Sequence, residues 1–261
     1  MRILFCQPTL NYTGSEMSLR EILRGLADYT NHEAFLLAGE DGPARVRLES
    51  LVEELFLVRT PKLRRDPGTA LKFLSSFASL AWALRCIVRQ IRPDLIYVNS
   101  LMFPQALVAS RLCGVPAVVH VREVATTYPT VVYASYLRVA AATARRVVVV
   151  ARFVTEQQAF RALPSLAPRC DVVYNSSALV LDELRTGGGE TTTRPVVILC
   201  VIPLTRQKGA HDLPRILAAL QDRELADACE IHVVGRLQDP ALLAEIESDL
   251  QQRDLGGRMI F

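Results

Sequence analysis

Residues Arg92–Glu123 read RPDLIYVNSLMFPQALVASRLCGVPAVVHVRE, and this stretch decides the fold class. The runs DLIYVNS (Asp94–Ser100) and AVVHV (Ala117–Val121) are short and almost continuously apolar. A strand with one wet face alternates apolar and polar residues, whereas a continuous apolar run fits a strand covered on both faces. A helical segment separates the two runs, so the stretch reads as strand, crossover helix and parallel strand.

The alternation continues outward. RILFCQ, EAFLLAG and ELFLVR lie before this stretch and RRVVVVA after it, all with the composition of buried strands. Between them, apolar residues recur every three or four positions. Met17, Leu19, Ile22, Leu23 and Leu26 share a face of a helix over Ser15–Tyr29. Leu71, Leu74, Phe77, Ala81, Leu84, Val88 and Ile91 do the same over Thr69–Ile91. The expected class is α/β, a doubly wound parallel sheet with helices on both faces.

The pattern stops after VVYNSSALVLDEL. RTGGGETTTR, Arg185–Arg194, is polar, rich in Gly and Thr, and reads as a linker. It divides the chain into a Rossmann-like domain over 1–184 and a second Rossmann-like unit over 195–261. The second unit runs PVVILCV, a helix Gly209–Gln221, CEIHVVG, a helix Pro240–Gln252, and RMIF. A doubly wound nucleotide domain uses about six strands, so this unit is expected to be truncated. Val233, Met259 and Ile260 are then expected partly in water, with a loss of about 25 cal/mol for each Å² left unburied.

Composition narrows the function. The 261 residues are 50% hydrophobic and 22% charged, enough for a sizeable core and incompatible with a disordered chain. A net charge of +3 does not point to nucleic acid. Six cysteines occur singly, without zinc-type or disulfide-framework spacing, as in a reducing cytoplasm. MRILFCQPTL breaks at Pro8 and lacks the pattern of a secretory signal. No uncharged apolar stretch approaches the roughly 18 residues of a membrane span. The segment Lys62–Arg92 is basic at both ends and apolar between. Such a helix either lies peripherally on an anionic membrane face or packs on the sheet, and packing is the commoner outcome.

Four stretches together resemble the retaining nucleotide-sugar glycosyltransferases of the GT-B fold, family four. TGSEMSLREILRGL resembles the glycine-rich loop and first helix of the acceptor domain. RPDLIYVNS with GVPAVVHVRE resembles its central strand–helix–strand, and VVYNSS the strand and turn before the linker. VVILCVIPLTRQKGAHDLPRIL with CEIHVVGRLQDPALLAEIESDLQQRDLGGRMIF resembles the opening of the donor domain. The chain departs from the family at Ile202-Pro203, where Gly-Arg is usual, at Ala151 for serine, and at Ser176 for glycine. The family's acidic pair, which contacts the donor, would lie beyond Phe261.

Candidate sites follow. Arg206, Lys208 and Gly209 lie between an apolar strand and a helix N-terminus, which suits a diphosphate. Gly14, Ser15 and Glu16 open the first helix: Ser15 as N-cap and Glu16 in the first turn explain them structurally, and a sugar or acceptor loop explains them equally. His120 and Arg122, two apart on a strand, project together near its carboxyl end, where open α/β sheets bind ligands. The family's active-site histidine falls at Arg122. The competing explanation is an Arg122–Glu123 ion pair closing the strand. Asn99 and Ser100 read as turn and capping residues, and His32, His211 and His232 as isolated histidines.

The resemblance implies a hexosyltransferase-type enzyme of cell-envelope or polysaccharide synthesis. It would take a nucleotide-sugar donor and a glycan, lipid-linked or small-molecule acceptor, without cofactor or metal. The 261-residue chain alone is expected to be inactive. Two alternatives remain open: a truncated or decayed paralogue that only binds, and a sugar-nucleotide epimerase of the same fold.

Overall fold

The apolar runs become strands, and every ladder among the described residues is parallel. The computed structural model describes residues 1–61, 67–125, 128–175, 196–223 and 229–261, with backbone alone over 67–70. It divides into two units, Met1–Leu179 and Val180–Phe261. The expected linker, 185–194, lies outside the described residues.

The first unit holds β1 (Arg2–Gln7), β2 (Glu33–Ala38), β3 (Glu54–Leu57), β4 (Leu95–Val98), β5 (Ala117–Val121), β6 (Arg146–Val149) and β7 (Cys170–Val172). Their order is β3-β2-β1-β4-β5-β6-β7. The sheet grows one way from β1 to β3 and the other way from β4 to β7. Its topological switch therefore lies between β1 and β4, where such sheets bind ligands beyond the strand ends.

Helices cover both faces, as the strand composition requires. α1 (Gly14–Tyr29) and α2 (Arg45–Glu49) pack Leu19, Leu23 and Leu48 against Ile3, Phe5 and Leu36. On the other face α3 (Pro67–Ile91), α4 (Pro104–Cys113) and α5 (Thr130–Thr143) enclose a core that includes Leu80, Leu107, Leu137 and Val119. The short α6 (Arg152–Glu156) and α7 (Gln158–Arg161) add Val154 and Phe160 to it. α4 starts with a proline in its first turn and stops at Gly114, whose φ of 73° is left-handed and directs its N–H back to Arg111.

The face of α3 differs from expectation. Phe73, Leu80, Leu84, Ile87 and Ile91 are buried, whereas Leu71 and Leu74 are 72% and 64% exposed. The helix is apolar on more than one side, so spacing alone cannot say which stripe meets the sheet. Its Leu71–Ile91 portion is long and apolar enough to cross a membrane by length and composition.

The second unit has β8 (Val196–Val201), β9 (Cys229–Val234) and β10 (Met259–Ile260) in the order β10-β9-β8. α8 (Leu213–Gln221) and α9 (Pro240–Gln252) bury Leu217, Leu242 and Ile246 in one core with Ile231. The expected exposure is corrected here. Val233 and Met259 are each only 5% exposed, and of the three named residues Ile260 alone is exposed, at 48%. Both crossovers run in the same direction with the same hand, so both helices fall on one face. The other face leaves Val197, Leu199 and Val201 in solvent.

Leu107 is fully buried in α4 and Leu112 is 67% exposed on the same helix. Leu107→Ala is expected to lower the unfolding free energy by about 2–5 kcal/mol and Leu112→Ala by no more than about 0.5. Urea melts of the two variants test this placement of α4; equal losses would contradict it.

Candidate functional site

At the switch point, two amides meet without solvent. Gln7 ends β1, Asn99 follows β4, and both are 0% exposed. A buried amide needs partners for its oxygen and its nitrogen. Asn99 Nδ2 donates to Gln7 Oε1 at 2.7 Å and to the Ser15 carbonyl at 3.1 Å. Gln7 Nε2 donates to Ser15 Oγ at 3.1 Å and Glu16 Oε1 at 3.0 Å. The start of α1 is thus tied to the ends of β1 and β4.

The network continues to β5. Arg122 Nε donates to Asn99 Oδ1 at 2.8 Å, its Nη1 to Asn175 Oδ1 at 2.9 Å, and its Nη2 to His120 Nδ1 at 3.1 Å. Ser18 of α1 donates to the same Asn175 oxygen at 3.0 Å. His120 and Arg122 therefore share a face, as their spacing requires. Guanidinium only donates, so His120 Nδ1 must accept, and the Tyr97 hydroxyl donates to it at 2.6 Å. The ring is neutral with its proton on Nε2, which is buried without a partner among the described residues. Burial, then the Arg122 charge, push the His120 pKa from 6.5 down to about 3. Burial likewise lowers Arg122 and, foremost, drives Tyr97 up to about 12.

Glu123 does not pair with the Arg122 guanidinium. Its carboxylate accepts the Ser100 hydroxyl, the Leu101 N–H at 3.1 Å and the Arg122 backbone N–H at 3.0 Å. The Tyr133 hydroxyl donates to its carbonyl at 3.1 Å. The ion-pair explanation of Arg122 is set aside by this geometry.

Gly14, Ser15 and Glu16 all stand in the first turn of α1, and the N-cap is Thr13 rather than Ser15. Glu16, 2% exposed, accepts from Gln7, the Thr9 hydroxyl at 2.9 Å, the Thr13 N–H at 3.2 Å and Ser15 Oγ at 3.0 Å. Those bonds consume its acceptor capacity, so Glu16 shapes the turn. Gly14 has no positive φ, and a Cβ built on it meets nothing within 4 Å. Beside this turn lies a cavity of about 760 Å³ wholly within the first unit. Pro61, Phe73, Met102, Phe103, Tyr128 and Tyr136 supply its apolar wall, and Thr13, Ser15, Gln105 and Glu123 its polar one. Gln105 is 2% exposed and its Oε1 has no partner among the described residues.

In the second unit the expected helix from Gly209 begins only at Leu213, after short 3-10 turns over Arg206–Lys208 and Ala210–Asp212. Gly209 separates the turns with φ 79°, a left-handed conformation that α-helical propagation cannot pass through. The turns use the N–H groups of Lys208, Gly209, Ala210 and Asp212 internally. Arg206 is ion-paired with Glu245 of α9, while Lys208 makes no ion pair with a described residue. The loop is held by β9: Ile202 N–H reaches the Val234 carbonyl at 3.0 Å and Leu204 N–H the Arg236 carbonyl at 3.0 Å. A Cβ on Gly235 would stand 1.9 Å from the Ile202 carbonyl oxygen, so only glycine fits there.

Sequence reasoning placed His120 and Arg122 together but passed over Gln7 and treated Asn99 as a turn residue. The available signal was a polar side chain closing each of two apolar strands.

A seven-stranded parallel unit followed by a second parallel α/β unit is a Rossmann-like architecture of the GT-B type. The glycosyl transferase 4-like domain family matches residues 13–176, and the chain belongs to that family. No curated protein matches the chain. Among solved structures, Anabaena HepE in complex with UDP superposes with a TM-score of 0.72 at 20% identity, over 100% of this chain and 68% of that one. The lipopolysaccharide outer core galactosyltransferase WaaB gives 0.66 at 15%, over 100% and 67%. UDP-GlcNAc 2-epimerase from Neisseria meningitidis, bound to UDP-GlcNAc, gives 0.57 at 11%, over 100% and 71%.

The His120 environment makes stability depend on pH. The unfolded histidine takes its proton near 6.5, the folded one near 3. Its contribution is therefore present above pH 6.5 and lost as pH falls toward about 3. His120→Gln keeps an acceptor but does not titrate, and is expected to flatten the acid loss in urea melts between neutral pH and about pH 4. A variant with the wild-type acid slope would show that His120 protonates freely when folded.

Proposed function

We propose that the chain is a glycosyltransferase that moves a sugar from a nucleotide-sugar donor to an acceptor, with retention as its sequence resemblance implies. The observation that carries this reading is the buried network converging on Arg122, in a chain of the glycosyl transferase 4-like family. Three of the five guanidinium N–H donors are committed to Asn99, Asn175 and His120, which leaves two for a donor or sugar oxygen. Such a fork is oriented before ligand arrives, which is the arrangement that stabilises developing charge. His120 then acts as a positioning residue: its ring nitrogens are buried or occupied, and it holds the fork from behind.

In the second unit, Lys208 is the cation proposed to meet the diphosphate, beside the left-handed turn at Gly209. Arg206 contributes less, because Glu245 already offsets its charge. Neutralising the leaving diphosphate in this way uses side chains and the α8 N-terminus in place of a metal. The cavity beside Gly14 is proposed as the acceptor's pocket. Its aromatic and proline wall suits an acceptor with an apolar body, with the Gln105 oxygen waiting for a donor group. Cytoplasmic location, and the hexosyl nature of the sugar, belong to the same proposal.

Titration with UDP-glucose and UDP tests the donor half. Lys208→Ala is expected to weaken binding by about 1.5–3 kcal/mol, the range for a hydrogen bond to a charged group. Unchanged affinity would leave Lys208 a solvated surface charge, and conversion of a nucleotide sugar to its epimer without transfer would replace the transferase reading. Gly14→Ala separates structure from function at α1. There is room for the methyl, so melting is expected to be unchanged or slightly raised, while turnover falls at least about tenfold if a ligand approaches that turn.

A further inference from the structure

We propose that the outer stripe of α3 is a docking surface for an anionic lipid bilayer. Leu71, Leu74, Ala78 and Trp82 are spaced at three, four and four residues, so they form one stripe along the helix. All four are exposed, Trp82 at 72%. The same helix sends Leu80, Leu84 and Ile87 into the core, so it is anchored on its inner side and presents a second apolar side outward. A folded chain gains nothing by leaving two leucines and a tryptophan aligned in water, and a contiguous apolar stripe of this kind marks an interaction surface.

Charge selects the partner. α3, α4 and α5, the three long helices on this side of the sheet, contain no Asp or Glu; the nearby carboxylates include Glu156 of the short α6 and Glu54, which accepts from Gln90 near the C-terminal end of α3. They carry Lys72, Arg85, Arg89, Arg111 and Arg138, all exposed and none ion-paired with a carboxylate among the described residues. α1 on the opposite side holds Glu16, Glu21 and Asp28. A helix with leucine and tryptophan on one stripe and cations beside it is the composition of an interfacial helix. Tryptophan settles at the headgroup boundary, and long arginine stems reach from an apolar bed to the phosphates. A second copy of the same face would bring five cations against five with no carboxylate on α3, α4 or α5 to answer them, which opposes self-association. The inner side of α3 is already packed on protein, so the helix lies along the bilayer surface. This inference concerns a surface apart from the proposed catalytic cluster and stands whether or not transfer is observed.

Trp82 is the chain's only tryptophan, so its emission reports on this stripe alone. The 261-residue chain is titrated with phosphatidylcholine vesicles, with and without about 30% phosphatidylglycerol, and bound protein is separated by sedimentation. The expected result is a blue shift and co-sedimentation with the anionic vesicles only, reversed by about 0.5 M salt. The double variant Arg85→Glu/Arg89→Glu, with melting unchanged, is expected to bind them at least about tenfold more weakly. No shift with anionic vesicles, an equal shift with neutral ones, or wild-type binding by the charge-reversed variant would each overturn the proposal. A shift that grows with protein concentration without lipid, together with a larger hydrodynamic mass, would also overturn it by assigning the stripe to a second copy.

Discussion

Gln7 and Asn99 have no access to water, and every amide group on them must be answered from within the protein. That constraint organises the upper edge of the first unit. Gln7 gathers Ser15 and Glu16, fixing where α1 begins. Asn99 joins β4 to that turn and presents its oxygen to Arg122, which reaches His120 and Asn175 in turn. The chain separations are large, 92 residues between Gln7 and Asn99 and 157 between Ser18 and Asn175. The cluster therefore exists only when the parallel ladders are complete. Removing one member leaves its neighbours buried and unanswered, which costs more than a single hydrogen bond contributes.

The two units divide the proposed chemistry by different physical means. In the first, positive charge is concentrated on a guanidinium that burial makes less comfortable, held in place by neutral partners. A neutral His120 behind it adds no repulsion, and the Tyr97 hydroxyl keeps the imidazole acceptor pointing the right way. In the second, the cations stand in an exposed loop whose backbone is already hydrogen-bonded to itself. There, the loop's own amides are spent within its turns and Arg206 is held by Glu245, so the charge on offer is that of Lys208 beside the α8 N-terminus.

Much of the fold was legible because parallel strands write a continuous apolar run, and each of RILFCQ, DLIYVNS and AVVHV became a strand. The helix faces were less so. α3 is apolar on two sides, so a period of three and four fitted a stripe whose start, Leu71 and Leu74, is exposed while its later members Leu84 and Ile91 are buried. The site was half legible. His120 and Arg122 stood out as ionisable residues closing an apolar run, but Asn99 had a sufficient local explanation as a turn residue, and its true partners come from elements distant in sequence. At the start of α1 the cap was misplaced by two residues: Ser15 has the chemistry of an N-cap, but Thr13 occupies that position, and the backbone of Gly14 has no positive φ.

Gly235 gives the second unit an unexpected rigidity. Its missing side chain lets the Ile202 carbonyl press against the chain leaving β9, and the Leu204–Leu237 bridge continues that pairing past the strand ends. The basic loop is consequently clamped at its root while its tip stays open. Under directed evolution, the tip from Arg206 to Lys208 offers freedom to retune charge, whereas position 235 offers none, because any branch there would lift the whole loop from its neighbour. If this loop meets the donor as proposed, changes of donor preference would accumulate at its crown, with its hinge point silent.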